Sequence, residues 1–216
     1  MEGYRTEKKV YRAWIKIPFP RLSEAQSIDE VRSDHYFILA GMGYPSYKQR
    51  IIAALDDITR HGAIDHFFIC VDAEDSGLET KIEEIDAVLS AGQPFAHTHV
   101  IVHDCCMETW FLGNDRMVPS NPQGLELRNM KKFYDVRTQD PEKMGCPNAY
   151  SSTAQFHFEY LRRLFQEHGL SYTKVRPGSV TEKHYFKALL RRSTKTGHLA
   201  SFQRLITTWR ALDGSI

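Results

Sequence analysis

Long apolar runs are missing from this chain. Its longest fall well short of the roughly 20 residues that a membrane-spanning helix needs, so no span and no membrane partner is expected. Cysteine is scarce, at 4 of 216 residues, and no two form a C-x-x-C pair. Cys70 and Cys105 fall in strand-like runs and Cys106 is the neighbour of Cys105, so the thiols read as reduced and the compartment as cytoplasmic. Glu2, Arg5 and Lys8 follow Met1 where a cleavable leader would carry an apolar core, so no leader is expected. Internal repeats and low-complexity tracts are also absent.

Net charge is almost absent too, at +1, but its distribution is uneven. Asp72 to Asp86 is strongly acidic. From Leu161 onward, 11 Lys and Arg stand against 3 acids, which points to a polyanionic partner such as nucleic acid, although basic helices also serve solubility. The length suits one domain with a proper core. We read residues 1–216 as a single α/β domain, with a core at about 35–175 and a helical basic extension at about 176–216.

The chain is organised around HFFICVDAEDSG, His66 to Gly77. The apolar run Phe67–Val71 ends in Asp72, Glu74 and Asp75, which reads as a buried strand closed by acids. Leu78, Ile82, Ile85 and Leu89 then recur at helical spacing, with Asp75 or Ser76 as the expected cap. The carboxyl edge of an open α/β sheet is where ligands bind. Carboxylates crowded there suit Mg²⁺ or Mn²⁺, or they do no more than cap the helix.

On either side, Val10–Ile17 (VYRAWIKI) alternates and predicts a strand. His35–Gly41 predicts another. Gly41 to Pro45 forms a turn that either binds phosphate through a helix N-terminus or is a plain tight turn. Tyr47, Ile51, Leu55 and Ile58 give a helix stopped by Gly62. The next helix is closed by Gly92 and Pro94. His97–Cys105 predicts a third inner strand. The order β-α-β-α-β argues a mostly parallel sheet flanked by helices. Its inner strands are expected at Phe37–Leu39, Phe67–Val71 and Val100–Val102. His97, His99 and His103 share one strand face, as a metal cluster or as ordinary polar residues. Met107–Leu112 predicts a short helix that brings Glu108 near the Asp72 edge. Residues 115–148 read as an insertion with a helix near Leu125–Phe133, of a length often mobile. Thr153 is the expected cap of a helix ending at Gly169. Ser171–Val175 predicts a short strand, and helices follow at Thr181–Arg192 and His198–Trp209.

Three segments together resemble the TOPRIM-type domain, and more narrowly the RloB-like and related small stand-alone TOPRIM-like proteins of bacterial defence operons. FICVDAED resembles the family strand ending in Asp-x-Asp, with Asp72 and Glu74 in those places and Asp75 adjacent. CCMETWFLGN resembles the Glu-x-Trp segment, with Glu108 and Trp110. SYTKV resembles a late Tyr-x-Lys segment, with Tyr172 and Lys174. The resemblance implies a TOPRIM-like Rossmannoid fold and Mg²⁺- or Mn²⁺-dependent nuclease chemistry on DNA or RNA. It also implies a partner ATPase of the ABC or SMC-like type, and homo-oligomers are compatible with it. On this reading Asp72, Glu74, Asp75 and Glu108 hold metal, and Lys174 faces the phosphate. Arg162, Arg163, Lys174, Arg176, Lys187, Arg191 and Arg192 grip nucleic acid.

Two departures matter. The family's first strand ends in Glu-Gly, and here that position reads Ala40-Gly41. The second is that Met42-Gly43-Tyr44-Pro45 lacks the further acid often found there. Either Glu108 takes over, or catalysis has been lost, or the alanine was introduced. A non-catalytic TOPRIM-like subunit docking on the ATPase is therefore the alternative function. An α/β enzyme binding a small phosphorylated substrate at the Gly41–Pro45 turn is the third.

Overall fold

The structure, a computed structural model, describes residues 5–41, 43, 45–90 and 96–213. It is a mixed α/β chain. Among the described residues, eight α-helices surround short parallel ladders.

Helix α1 spans Thr6–Ile15, where alternation predicts a strand. The apolar residues of that stretch also satisfy helical spacing: Val10, Tyr11 and Trp14 fall on one helix face and are all buried. Trp14 then reaches a cluster of rings, stacking on Trp110 and meeting Phe111, Phe186 and Phe202 edge-on. Such offset and edge-on contacts are the arrangements that aromatic quadrupoles favour.

Strands β1 (Ser23–Glu24) and β2 (His35–Tyr36) pair in parallel over two residues each. Phe37–Leu39, expected as an inner strand, has no regular structure and stands outside the main ladder. Its partner strand is too short to carry the pairing further, so Ile38 is buried without ladder bonds. Helix α2 (Ser46–His61) buries Tyr47, Ile51, Leu55 and Ile58 as expected. It stops at Gly62, whose φ of 71° is left-handed and costs glycine little. Of the Gly41–Pro45 turn, Met42 and Tyr44 lie outside the described residues.

Strands β3 (His66–Asp72) and β4 (His97–His103) form the main ladder, parallel, with His66 opposite His97 and Asp72 opposite His103. Helix α3 (Leu78–Ser90) lies between them in sequence. Gly92 and Pro94, expected to close it, lie outside the described residues. Alternate residues of a strand point to opposite faces. Ile69, Val71 and Val102 accordingly pack with Tyr47, Ile51, Leu55 and Ile85 of α2 and α3. Cys70 and Ile101 face the larger core around Trp14 and Trp110. Both faces of the ladder are thus covered, as a parallel pair requires.

Helices α4 (Met107–Phe111) and α5 (Leu125–Phe133) fall where the apolar spacing puts them. The insertion at 115–148 is anchored, because Val118, Leu127, Met130, Val136 and Met144 are buried in the larger core. Helix α6 (Thr153–Glu167) is capped one residue earlier than expected, by Ser152, whose Oγ accepts from the Gln155 N–H at 3.1 Å. Ser152→Ala should lower stability by about 1 kcal/mol, read as a lower urea midpoint at unchanged slope. Ser171–Val175 is not a strand. Thr173 and Arg176 exchange backbone hydrogen bonds of 3.2 and 3.0 Å, so the chain turns back on itself there. Helices α7 (Lys183–Thr196) and α8 (Ala200–Asp213) complete the fold.

Candidate functional site

The two strands leave the sheet together. The Ala73 N–H donates to the His103 carbonyl at 3.0 Å and the Glu74 N–H to the Cys105 carbonyl at 2.7 Å. Glu74 and Cys105 both take positive φ, 50° and 64°. This is uncommon for residues with a Cβ and marks a held, strained exit. Beyond it, α4 begins at once and places Glu108 in its first turn, buried at 3% exposure. Glu108 Oε1 accepts a 2.8 Å hydrogen bond from the Tyr172 hydroxyl. Opposite, Asp72 Oδ1 lies 2.6 Å from His103 Nδ1, and His103 Nε2 lies 2.9 Å from the Tyr11 hydroxyl.

Helix α1 lies along this edge. It is tied to the late segment by Thr6, whose Oγ1 donates to the Lys174 carbonyl at 2.8 Å. The electrostatics describe one connected group of charges. Burial, then the charge of Glu108, pushes the Asp72 carboxyl well above the usual carboxylate range, while Lys174 opposes the shift. Glu108 above all, and then Asp72, holds the Lys174 ammonium more firmly protonated than usual. Burial and then Asp72 raise the Glu7 carboxyl, with His103 and Glu108 also within reach of it. Burial, and next Glu108, raises the Tyr172 phenol.

Asp72, Glu108 and Lys174, expected from three separate segments, therefore lie within electrostatic reach of one another. Two expected ligands sit apart. Glu74 is exposed at the rim and adds only the last and smallest of the main influences on Asp72. Asp75 is exposed, and its Oδ1 accepts the Thr153 N–H at 3.3 Å, at the start of α6. Glu74 stands in a left-handed turn directly beyond the strand end. Sequence reasoning missed Glu7 and Tyr11, and it grouped His103 with His97 and His99 rather than with Asp72. The parallel register could have flagged His103, since it sits at the end of its strand just as Asp72 does. Reading α1 as a strand concealed the i, i+4 spacing of Glu7 and Tyr11.

Close by is a second constellation. Among the described residues, the group of three or more His, Cys, Asp or Glu whose ligand atoms lie within 4.8 Å of one another is Cys105, Cys106 and His157. A hydrogen bond from Cys106, with a further contribution from His157, lowers the Cys105 thiol to about 6. Cys106 is pushed well up by the same bond and by burial. His157 is fully buried, its Nδ1 lying 2.7 Å from Thr109 Oγ1 and its Nε2 3.1 Å from the Met144 carbonyl.

Most of the expected basic face is already committed. Arg162 pairs with Glu159, Arg163 with Glu126, and Arg191 with Asp115. Arg192 is a correction: it is 3% exposed and donates to the carbonyls of Gly113, Val136 and Gln139, so it cannot meet a phosphate. Lys174, Arg176 and Lys187 are exposed. Nor do the strand histidines form one cluster. His99 lies 3.2 Å from His66 at the far end of the ladder, whereas His103 belongs to the Asp72 edge.

Comparison with protein-family models, curated proteins and solved structures gives no match. Among the described residues, no helix is long and apolar enough to cross a membrane.

Proposed function

We propose that this chain is a TOPRIM-like nuclease whose metal-dependent centre is Asp72, Glu108 and Lys174. The observation that supports the reading is that Asp72, at the carboxyl edge of a parallel ladder, feels the charges of both Glu108 and Lys174. Mg²⁺ fits the donors present. It is commonly held by one or two carboxylates, with water and substrate phosphate filling the remaining positions. Asp72 and Glu108 would hold it. When bound, such an ion polarises the scissile phosphate and supplies a hydroxide-like nucleophile at neutral pH.

The chain's own residues do the rest. The His103 contact fixes the Asp72 carboxyl, and the Tyr172 hydroxyl fixes that of Glu108. Lys174 places a firmly held positive charge beside them, which offsets charge that builds on a phosphate oxygen. Arg176 and Lys187, exposed and outside the ion pairs above, suit contact with the nucleic-acid backbone. Action within a bacterial antiphage system, with an ABC or SMC-like ATPase as partner, rests on the resemblance of the three segments.

Ala40 favours a second reading, a non-catalytic TOPRIM-like subunit that docks on and regulates the ATPase. The alanine side chain has no oxygen to offer a metal, and Phe37–Leu39, just before it, stands outside the main ladder. Mn²⁺ titration followed by electron paramagnetic resonance separates the two. The nuclease reading expects a bound ion that is lost in Glu108→Gln, cleavage of nucleic acid with Mn²⁺, and a gain in both affinity and cleavage in Ala40→Glu. No bound Mn²⁺ in the unchanged chain, together with no gain in Ala40→Glu, would leave the docking reading.

A further inference from the structure

We propose that Cys105, Cys106 and His157 bind a thiophilic divalent cation of the Zn²⁺ class, in a buried site that ties the β4–α4 turn to α6. The donor set is the first argument. Two thiolates and an imidazole suit Zn²⁺ and its softer relatives, whereas Mg²⁺ prefers oxygen. Distance is the second. Zn–S bonds of about 2.3 Å and Zn–N bonds of about 2.0–2.1 Å put tetrahedral donors roughly 3.5–3.8 Å apart. The three donor atoms here lie within 4.8 Å of one another, so modest side-chain rotations close the difference.

The surroundings agree. Cys105, Cys106 and His157 are 6%, 3% and 0% exposed, so the cluster is shielded from water that would compete for the ion. Cys105 sits in left-handed backbone at φ 64°, immediately after the strand. That turn is what lets neighbouring cysteines both face His157, because successive residues of an extended strand point to opposite sides. His157 also has the outer contacts expected of a metal-binding histidine. Whichever ring nitrogen bonds the ion, the other keeps an oxygen partner, Thr109 Oγ1 or the Met144 carbonyl. Three protein donors leave a fourth tetrahedral position for one ligand from outside the cluster. On binding, each thiol gives its proton to solvent and its sulfur lone pair to the cation, with no change of oxidation state.

The test uses the full chain, reduced and freed of metal with chelator, titrated with Co²⁺ alone and then with Zn²⁺. One equivalent of Co²⁺ should produce a thiolate-to-cobalt charge-transfer band with the visible bands of tetrahedral coordination, and Zn²⁺ should abolish both. Cys70→Ser, outside the cluster, should keep the band. Cys105→Ser and His157→Gln should each weaken Co²⁺ binding by more than about 100-fold, beyond what loss of an outer-shell partner costs. Circular dichroism of the same samples shows whether each variant is folded. If a variant fails to fold, the unchanged chain still decides: Zn²⁺ should raise its midpoint of thermal unfolding. Absence of the charge-transfer band in the unchanged chain, or its persistence in folded Cys105→Ser, overturns the proposal. Carboxylates cannot produce that band, so this outcome is independent of the Asp72 and Glu108 centre.

Discussion

Asp72→Asn should reduce Mg²⁺-dependent cleavage by on the order of 10²- to 10³-fold, the scale seen when one electrostatic group that stabilises a transition state is removed. The same substitution should make the metal-free protein more stable at neutral pH. Burial and Glu108 raise the Asp72 carboxyl well above its ordinary range. The folded state therefore keeps a proton that the unfolded state releases above about pH 3.9. By linkage, this residue's contribution is fully favourable below the unfolded pKa and is lost as pH rises through the folded one. Asparagine cannot ionise and escapes that loss, while its side-chain oxygen can still meet His103. The stability advantage of Asp72→Asn should be largest at neutral pH and vanish below about pH 4. Urea midpoints across pH and a cleavage assay with Mg²⁺ check both parts. Retained cleavage, or a variant less stable at neutral pH, would mean that Asp72 only supports the turn.

Arg192→Ala should be the more damaging to the fold, costing about 3 kcal/mol or more, from three carbonyls at about 1–3 kcal/mol each. Its guanidinium is buried and donates to three carbonyls, those of Gly113, Val136 and Gln139, at 3.2, 2.6 and 2.6 Å. Each carbonyl left without a donor costs about 1–3 kcal/mol in a buried setting. Arg192→Lys should recover only a fraction, because an ammonium is a point charge and cannot span the fork that reaches separate loops. Urea unfolding measures the loss. Lys187→Ala, on the exposed side of the same helix, should leave stability within about 0.5 kcal/mol while weakening any salt-sensitive binding of nucleic acid. Equal stability of the two variants would contradict the structural role given to Arg192.

Where a segment's burial follows from its own period, the sequence is readable. The stripe of α2, the apolar run of β3 and the bounds of α5 are of this kind. So was the approach of Glu108 to Asp72, because parallel neighbours end at the same edge. Val10–Ile17 was not, since alternation and helical spacing coincide there and only the ring cluster around Trp14 decides between them. Phe37–Leu39 looks like a strand by composition, but a strand exists only where a partner of equal length is available, and β1 has two residues. The exposure of Glu74 and Asp75 could not be read ahead, because a left-handed turn at a non-glycine residue leaves no mark in the composition. Arg192 was misread because charge alone does not tell a solvated arginine from one that bridges loops.

The contacts of α1 also bear on when the centre can exist. Thr6 is tied to Lys174, Lys9 to the Val175 carbonyl, and the Trp14 indole to the Val180 carbonyl, across 166 to 168 positions of chain. A growing chain at the ribosome has made its strands, and with them Asp72 and His103, long before residues 174–180 emerge. Until they do, α1 has its contacts to His103 and Trp110 but not those to residues 174–180, and Lys174 is not there to balance the acids. The charge balance of the carboxylate edge is thus completed only after most of the chain has been synthesised.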